Sequence, residues 1–370
     1  MHLNGEEEVA MPNDPITTAQ YRAAKSMGGF LAREDRGLIQ VSGADRAGWL
    51  NNLVTNAIKT LRPGEGRYAF ACDARGRTIA DLNVFVLEDR LWLDVDRRWI
   101  VPVLAHLTRH TIVEDVVLTD LSSQTRRLAV LGTRANDVVR RLELGDITKM
   151  APLQHLGGRL GDEEVRMARN DFAGPVAAEF FILSNPDTSA GEDEEPPAQA
   201  GADSCGGLAR RILATACSDL GLTSLDRPVV EVLRIEAGIP ASIDDIDDEV
   251  LPPETGQIDR GIDYHKGCYL GQEVIERMRS HGVLARRLVG LRIDGDAIVA
   301  PRSPIRIGEN QIGRTRSCCW SERLGAVLAL GYVKTAYAEA GVEVMIGAGE
   351  HDRAGTVVEL PVREPHASAS

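Results

Sequence analysis

Apolar and polar positions along this chain change period several times, and each change marks an element. Residues 38–41, Leu-Ile-Gln-Val, form a short β-prone run. Ser42-Gly43-Ala44-Asp45 then supplies capping residues for a helix through Trp49, Leu50 and Leu53. Arg62-Pro63-Gly64-Glu65-Gly66 is a turn, and strands are predicted over 67–72 and 78–87 around a second turn, Asp73-Ala74-Arg75-Gly76. Residues 88–90 turn the chain into a strand over 91–95, followed by a helix over 99–109. Residues 128–131, Gly132-Thr133 and 134–142 read as strand, turn and helix. Residues 166–170 and 177–183 read as paired strands around Phe172-Ala173-Gly174-Pro175. Leu208, Ile212, Leu213, Ala216 and Leu220 recur at helical spacing, and another helix is predicted over 229–237. From 287 to 362, short β-rich segments alternate with Gly and Pro, the pattern of a small β-barrel.

Strand-rich meanders with flanking helices predict an α+β fold rather than a doubly wound one. A chain of 370 residues exceeds a single simple core. The predicted division is a disordered N-terminus (1–15), a first α+β domain (16–125), a second (126–250), a motif segment (251–285), a C-terminal barrel (286–362) and a disordered tail (363–370). Residues 184–207 carry six acids, no Lys or Arg and no large apolar side chain. Such a stretch cannot bury enough surface to offset its chain entropy, so a disordered acidic insertion is expected there.

Net charge of −13 argues against nucleic acid or an anionic membrane as partner, while leaving room for a local basic pocket. No apolar run approaches the roughly 20 residues of a membrane span. The acidic start (Glu6, Glu7, Glu8, Asp14) lacks the order of a signal peptide, so a cytoplasmic protein is expected. The six cysteines are scattered without a CxxC pair, which gives a four-cysteine metal site no support and suits reduced thiols. The acidic run Asp244, Asp245, Asp247, Asp248, Glu249 lacks the glycine-turned loop of a calcium site. No metal site is predicted.

The densest chemistry lies in Lys266-Gly267-Cys268-Tyr269-Leu270-Gly271-Gln272-Glu273. One thiol stands between two glycines, after a lysine and before a predicted helix. A cation and a helix N-terminus both favour thiolate over thiol. The other reading is a buried cysteine that fills space. Lys266 would hold the thiolate or an anionic ligand, or simply be a surface lysine.

Several motifs together resemble the superfamily of the glycine-cleavage T-protein, a tetrahydrofolate-dependent aminomethyltransferase, and its YgfZ-type relatives, folate-binding proteins of iron–sulfur cluster assembly. They are Val41-Ser42-Gly43-Ala44-Asp45, Leu53-Val54-Thr55-Asn56, Leu61-Arg62-Pro63-Gly64 with Arg67-Tyr68, Leu131-Gly132-Thr133-Arg134-Ala135, and Leu233-Arg234-Ile235-Glu236-Ala237-Gly238. Gly313-Arg314-Thr315 and Gly331-Tyr332-Val333 fit its barrel, and the resemblance spans residues 16–362. It implies a three-domain aminomethyltransferase-like fold with a central folate hole. The octapeptide resembles the YgfZ-type signature, whereas T-proteins carry Asp where this chain has Cys268. T-proteins also have two adjacent acids where this chain has Ala80 and Asp81.

The resemblance implies tetrahydrofolate as ligand and iron–sulfur assembly proteins or client iron–sulfur enzymes as partners. It assigns Cys268, Lys266 and Asp81 to chemistry, and Glu179, Arg234, Tyr68 and Asn56 to the folate. Glu179 aligns with a pterin-binding carboxylate, although Ala178 replaces the family's glycine beside it; its other reading is the partner of a buried arginine. Arg234 would contact the ligand or pair with Glu231 or Glu236. Tyr68 and Asn56 would line the pocket or secure the fold. Two functions are expected to compete: assistance to cluster assembly or repair through Cys268, and folate-dependent one-carbon transfer.

Overall fold

The computed structural model describes residues 15–183, 207–282, 284–347 and 352–363. Most of the predicted disorder (1–14, 184–206, 364–370) lies outside those residues. Pro15 and Gly207 instead open the helices Pro15–Ser26 and Gly207–Asp219. The fold is α+β, with three sheets. An antiparallel five-stranded sheet runs Gly66–Cys72, Thr78–Val86, Leu91–Asp96, Arg36–Ser42, Val117–Asp120. A six-stranded sheet runs Thr223–Ser224, Gly29–Ala32, Thr125–Leu131, Ala177–Leu183, Glu163–Arg169, His155–Leu160. A closed barrel runs Arg286–Ile293, Ala326–Lys334, Asn310–Ser321, Pro304–Ile307, Glu343–Ile346, Arg353–Val358. Among the described residues no helix is long and apolar enough to cross a membrane.

Period-2 alternation sorts side chains into different cores rather than into core and solvent. On the five-stranded sheet, Ile39, Val41, Leu82 and Val84 face the helix Ile100–Arg109, through Ile100, Val103 and Leu107. Leu38, Phe70 and Phe85, on the opposite face, meet Phe181 and Ala168 of the six-stranded sheet. The barrel docks in the same way. Val327, Ala329 and Val333 fill its interior, while Leu328 and Leu330 pack on Leu233 and Val229 of the helix Arg227–Glu236.

Two local expectations need correction. The helix predicted through Trp49, Leu50 and Leu53 is Arg46–Asn51 and ends before Leu53. Its chain is drawn away because Asn51 Oδ1 accepts from Ile58 N (3.0 Å) and Val54 bridges to Ala71. Asp45 sits at the N-cap but caps nothing; its Oδ2 accepts from Asp115 N at 2.8 Å. The strand Gly29–Ala32 and the helix Pro15–Ser26 carry no clear period and are absent from the elements predicted above. Gly29–Ala32 precedes the whole five-stranded sheet in sequence, yet it pairs with Thr125–Leu131 in the six-stranded one.

A buried ion cluster ties these two sheets together. Arg127, in the six-stranded sheet, donates from Nη1 to Asp94 Oδ1 of the five-stranded sheet and from Nη2 to Glu179 Oε1, both at 2.6 Å. Its guanidinium lies 4.4 Å over the Phe181 ring. Asp94 also accepts from Arg36 Nε and Asn83 Nδ2, each at 2.8 Å. Burial alone would raise the Asp94 pKa; Arg127 and Arg36 outweigh it and hold the carboxyl far below the usual range. Removing one member of such a cluster strands an uncompensated charge. Arg127→Leu is therefore expected to lower stability by about 3–5 kcal/mol in urea unfolding.

His155 gives the fold a pH dependence. It is 1% exposed, its Nδ1 lies 2.9 Å from Arg166 Nη1, and its ring meets Phe85 edge-on. Burial first, and Arg166 second, lower its pKa to about 4. Burial with His110 and Arg109 lowers His106 equally, to about 4. Unfolded histidine takes its proton near pH ~6.5. Between that pH and about 4 the unfolded chain holds more protons, so stability falls as pH falls through this window. Urea midpoints measured from pH 7 to 4.5 should decline, and less steeply in His155→Leu; an identical slope in the variant would refute the assignment.

Candidate functional site

Two cavities meet between the five-stranded and six-stranded sheets. One, of about 620 Å³, is walled by Arg33, Asp81, Phe172, Arg234 and Ser242 among others. The second, of about 880 Å³, is walled by Asn56, Arg67, Asp263, His265 and Arg279 among others. Tyr68, Asn83, Asn170 and Arg260 line both and form the neck between them.

The strand pairing of Gly66–Cys72 with Thr78–Val86 brings Tyr68 near Asp81 at this neck. Tyr68 OH donates to Asp81 Oδ2 at 2.9 Å, and Ser242 Oγ donates to Oδ1. Burial first, and the Asp81 charge second, push the Tyr68 pKa well above its ordinary value, so Tyr68 stays a phenol donor. The Arg260 guanidinium lies 4.0 Å over the Tyr68 ring. Arg33 stacks on Phe172 at 3.8 Å, with its Nη1 buried and lacking a hydrogen-bond partner among the described residues. The Arg67 side chain makes no hydrogen bond or ion pair among the described residues. The neck and the walls on either side of it thus combine aromatic faces, buried acids, two carboxamides and guanidinium cations.

Glu179 does not line either cavity. It is fully buried, with Oε1 taken by Arg127 and Oε2 accepting from Asn170 Nδ2 at 2.7 Å. Its reach into the cavity passes through Asn170. Arg234 does line the smaller cavity, but its donors are engaged by Glu231, Asp245 (2.7 Å), Ser317 (2.7 Å) and Ile239 O. Glu236 is instead occupied by Tyr21 and Ser321. Asn56 borders the larger cavity while its Nδ2 donates to Tyr68 O (2.9 Å) and Arg260 O (2.8 Å).

Within the octapeptide, Lys266 is turned inward. Its Nζ donates to the carbonyls of Asn51 (2.5 Å), Val54 (2.7 Å) and Asn56 (2.8 Å). Burial lowers its pKa to about 8, against an opposing pull from Asp263. Tyr269 is buried beside Cys72 and Ile275, and Leu270 N donates to Asn52 O at 3.0 Å. Gly271, at φ 84°, sits so close to the Asp73–Gly76 turn that a Cβ would lie 2.5 Å from Asp73 O. From this anchor the helix Gln272–His281 departs. Cys268 is exposed and lines neither cavity, whereas Cys72, Cys217 and Cys319 are buried. Cys268 therefore does not fill core space. The pairing of Lys266 with its thiol finds no support, because the ammonium's donors are spent elsewhere.

Sequence patterns did not point to Arg260, Arg67, Asn83, Asn170, Phe172 and Ser242 as site residues. Two of them carried a signal: Arg67 stands in the Arg67-Tyr68 motif, and Arg260 is a lone cation between Ile258 and Ile262 just ahead of the octapeptide. The others become neighbours through sheet pairing and unit docking.

Comparison with known proteins gives one pattern. Residues 11–189 match the GCVT N-terminal domain, and residues 286–362 match the glycine cleavage T-protein C-terminal barrel domain. An aminomethyltransferase of Rubrobacter xylanophilus is 27% identical over 344 residues, covering 93% of this chain and 85% of that protein. One from Synechococcus elongatus is 25% identical over 359 residues, covering 92% and 87%. The crystal structure of glycine cleavage system aminomethyltransferase T from Bartonella henselae superposes with a TM-score of 0.77 at 19% identity, covering 94% of this chain and 90% of that one, a likeness of fold.

The two glycines flanking the thiol should respond oppositely to alanine. Gly271→Ala forces a left-handed backbone and a clash with Asp73 O, and should cost at least about 1–2 kcal/mol in urea unfolding. Nothing lies within 4 Å of where a methyl group on Gly267 would sit, so Gly267→Ala should fall within about 0.5 kcal/mol of wild type.

Proposed function

Because the chain belongs to the glycine-cleavage T-protein superfamily, a folate-dependent family, we propose that it binds tetrahydrofolate at the neck of the two cavities and assists assembly or repair of iron–sulfur clusters in client enzymes. The observation that carries this reading is Cys268: an exposed thiol on a segment pinned at Lys266, Leu270 and Gly271. Thiolates suit iron and sulfide. One thiol leaves the remaining iron ligands to a second protein, so the reading requires iron–sulfur assembly proteins or client enzymes as partners.

The neck fits a folate chemically. A reduced pterin is a flat heterocycle rich in N–H donors, joined to an anionic tail. Tyr68 and Phe172 offer ring faces, Asp81 and the Asn83 and Asn170 carboxamides offer acceptors, and Arg67 and Arg260 offer cations. Glu179 orients Asn170, and Arg234 shapes the wall with its donors already spent. Bound tetrahydrofolate would supply a one-carbon acceptor. The chain's part is to orient the ring, and Tyr68 and Ser242 keep Asp81 in place beside it.

A second reading is folate-dependent aminomethyl transfer, favoured by Asp81 facing the smaller cavity and by the relatives that carry that name. The two readings separate cleanly. On the first, Cys268→Ala retains tetrahydrofolate binding by anaerobic calorimetry but lowers [4Fe–4S] enzyme activity in cells under oxidative load, by severalfold. Full activity of those enzymes in Cys268→Ala cells would end the cluster reading. One-carbon transfer to tetrahydrofolate that survives Cys268→Ala and is lost in Asp81→Asn would establish the second.

A further inference from the structure

Residues 51–56, the end of the helix Arg46–Asn51 and the loop after it, have two jobs. Of the six carbonyls from Asn51 to Asn56, five accept from the segment that carries the thiol: Asn51, Val54 and Asn56 from Lys266 Nζ, Asn52 from Leu270 N, and Thr55 from Asp263 N. Toward the cavities, the side chains of the same loop hold the neck. Asn56 Nδ2 grips the carbonyls of Tyr68 and Arg260. Thr55 Oγ1 donates to Gly261 O at 2.6 Å and accepts from Phe70 N at 2.9 Å. Asn56 therefore gives its side chain to the cavity wall and its carbonyl to Lys266, two residues before Cys268.

We propose that Asn56 and Lys266 are positioning residues that couple the central cavity to the Cys268 thiol, so that a ligand in the cavity sets how readily Cys268 reacts. Cys268 lines neither cavity, so a ligand there does not shield it by contact. The route is mechanical. An occupant restrains Tyr68 and Arg260, their carbonyls fix Asn56, and Asn56 completes the cage of three carbonyls around the Lys266 ammonium. Cys268 is already exposed, so the cage acts on the setting of its thiol and not on access. While intact it spends the Lys266 ammonium on three carbonyls; when it opens, that cation is released two residues from the thiol, where it favours the reactive thiolate. Occupancy makes opening rarer, and by linkage a segment forced open weakens the ligand. The proposal rests on the folate reading, which supplies the occupant.

The test uses the full chain and N-ethylmaleimide, with modification of Cys268 read from its own peptide by mass spectrometry, apart from the other five cysteines. Occupancy by 5-formyltetrahydrofolate, a stable reduced folate, is measured by calorimetry on the same sample. The expected result is alkylation of Cys268 slowed at least about fivefold at saturation, the lower end of ordinary coupling factors. Protein already alkylated at Cys268 should bind the folate at least about fivefold more weakly. In Asn56→Asp, which loses the donor, and Lys266→Met, which loses the ammonium, the ligand's effect on the rate, read at folate concentrations that calorimetry shows to saturate each variant, should shrink below about twofold. A wild-type rate unchanged on proven binding overturns the coupling and leaves the folate reading intact. Absence of binding overturns the folate reading, and the coupling with it. Variants that bind and keep the full rate effect overturn the positioning roles. If the variants do not fold, the wild-type rates with and without ligand decide the matter alone.

Discussion

The Arg127 guanidinium, buried between Asp94 and Glu179, is the contact on which the rest of the architecture depends. Each sheet buries both faces, so the sheets must meet through a shared core, whose apolar packing tolerates exchange more readily than a buried charge tolerates loss of its partner. Arg127 pins that meeting, because its two forks must find one carboxylate on each side. Its partners carry the constraint outward. Asp94 fixes Asn83, and Glu179 fixes Asn170; both carboxamides stand at the neck of the cavities. A charge cluster that joins two sheets thus also presents the groups that a ligand would touch. This explains why Glu179 need not enter the cavity to matter there.

Much of the fold was legible in the sequence. The α+β class, the barrel and the main strands follow from period and turn chemistry, since Asp73-Ala74-Arg75-Gly76 and Arg62-Pro63-Gly64 admit little else. What was not legible has physical reasons. Gly29–Ala32 is four residues long and takes its strand identity from a partner remote in sequence. Asp94 looks like the polar position of a half-exposed strand, yet it is fully buried because the second sheet covers that face. Leu53 continues an apolar helical stripe, but capture of the following carbonyls by Lys266 outweighs the propensity to extend.

The candidate site was legible in part. The octapeptide stood out as chemistry, and exposure of Cys268 excludes the packing role. The role of Lys266 was not readable, because a lysine next to a cysteine suggests a counter-ion, whereas the fold spends this ammonium on carbonyls. Arg260 reaches the neck and Phe172 the smaller cavity from distant segments, and no local pattern encodes such a meeting.

The placement of Gly29–Ala32 also bears on how the protein is made. Because that strand pairs with Thr125–Leu131, the entire five-stranded unit is, in topology, an excursion between two neighbouring strands of another sheet. A ribosome emits the first of these strands long before its mate, and at ordinary elongation rates the wait is on the order of 5–20 s. The excursion can close its own antiparallel ladder in that interval, since all its strands lie within residues 36–120 and have been emitted before Thr125. Its completion then returns the chain beside the waiting strand. The five-stranded unit would serve, during synthesis, as the jig on which the second sheet is assembled.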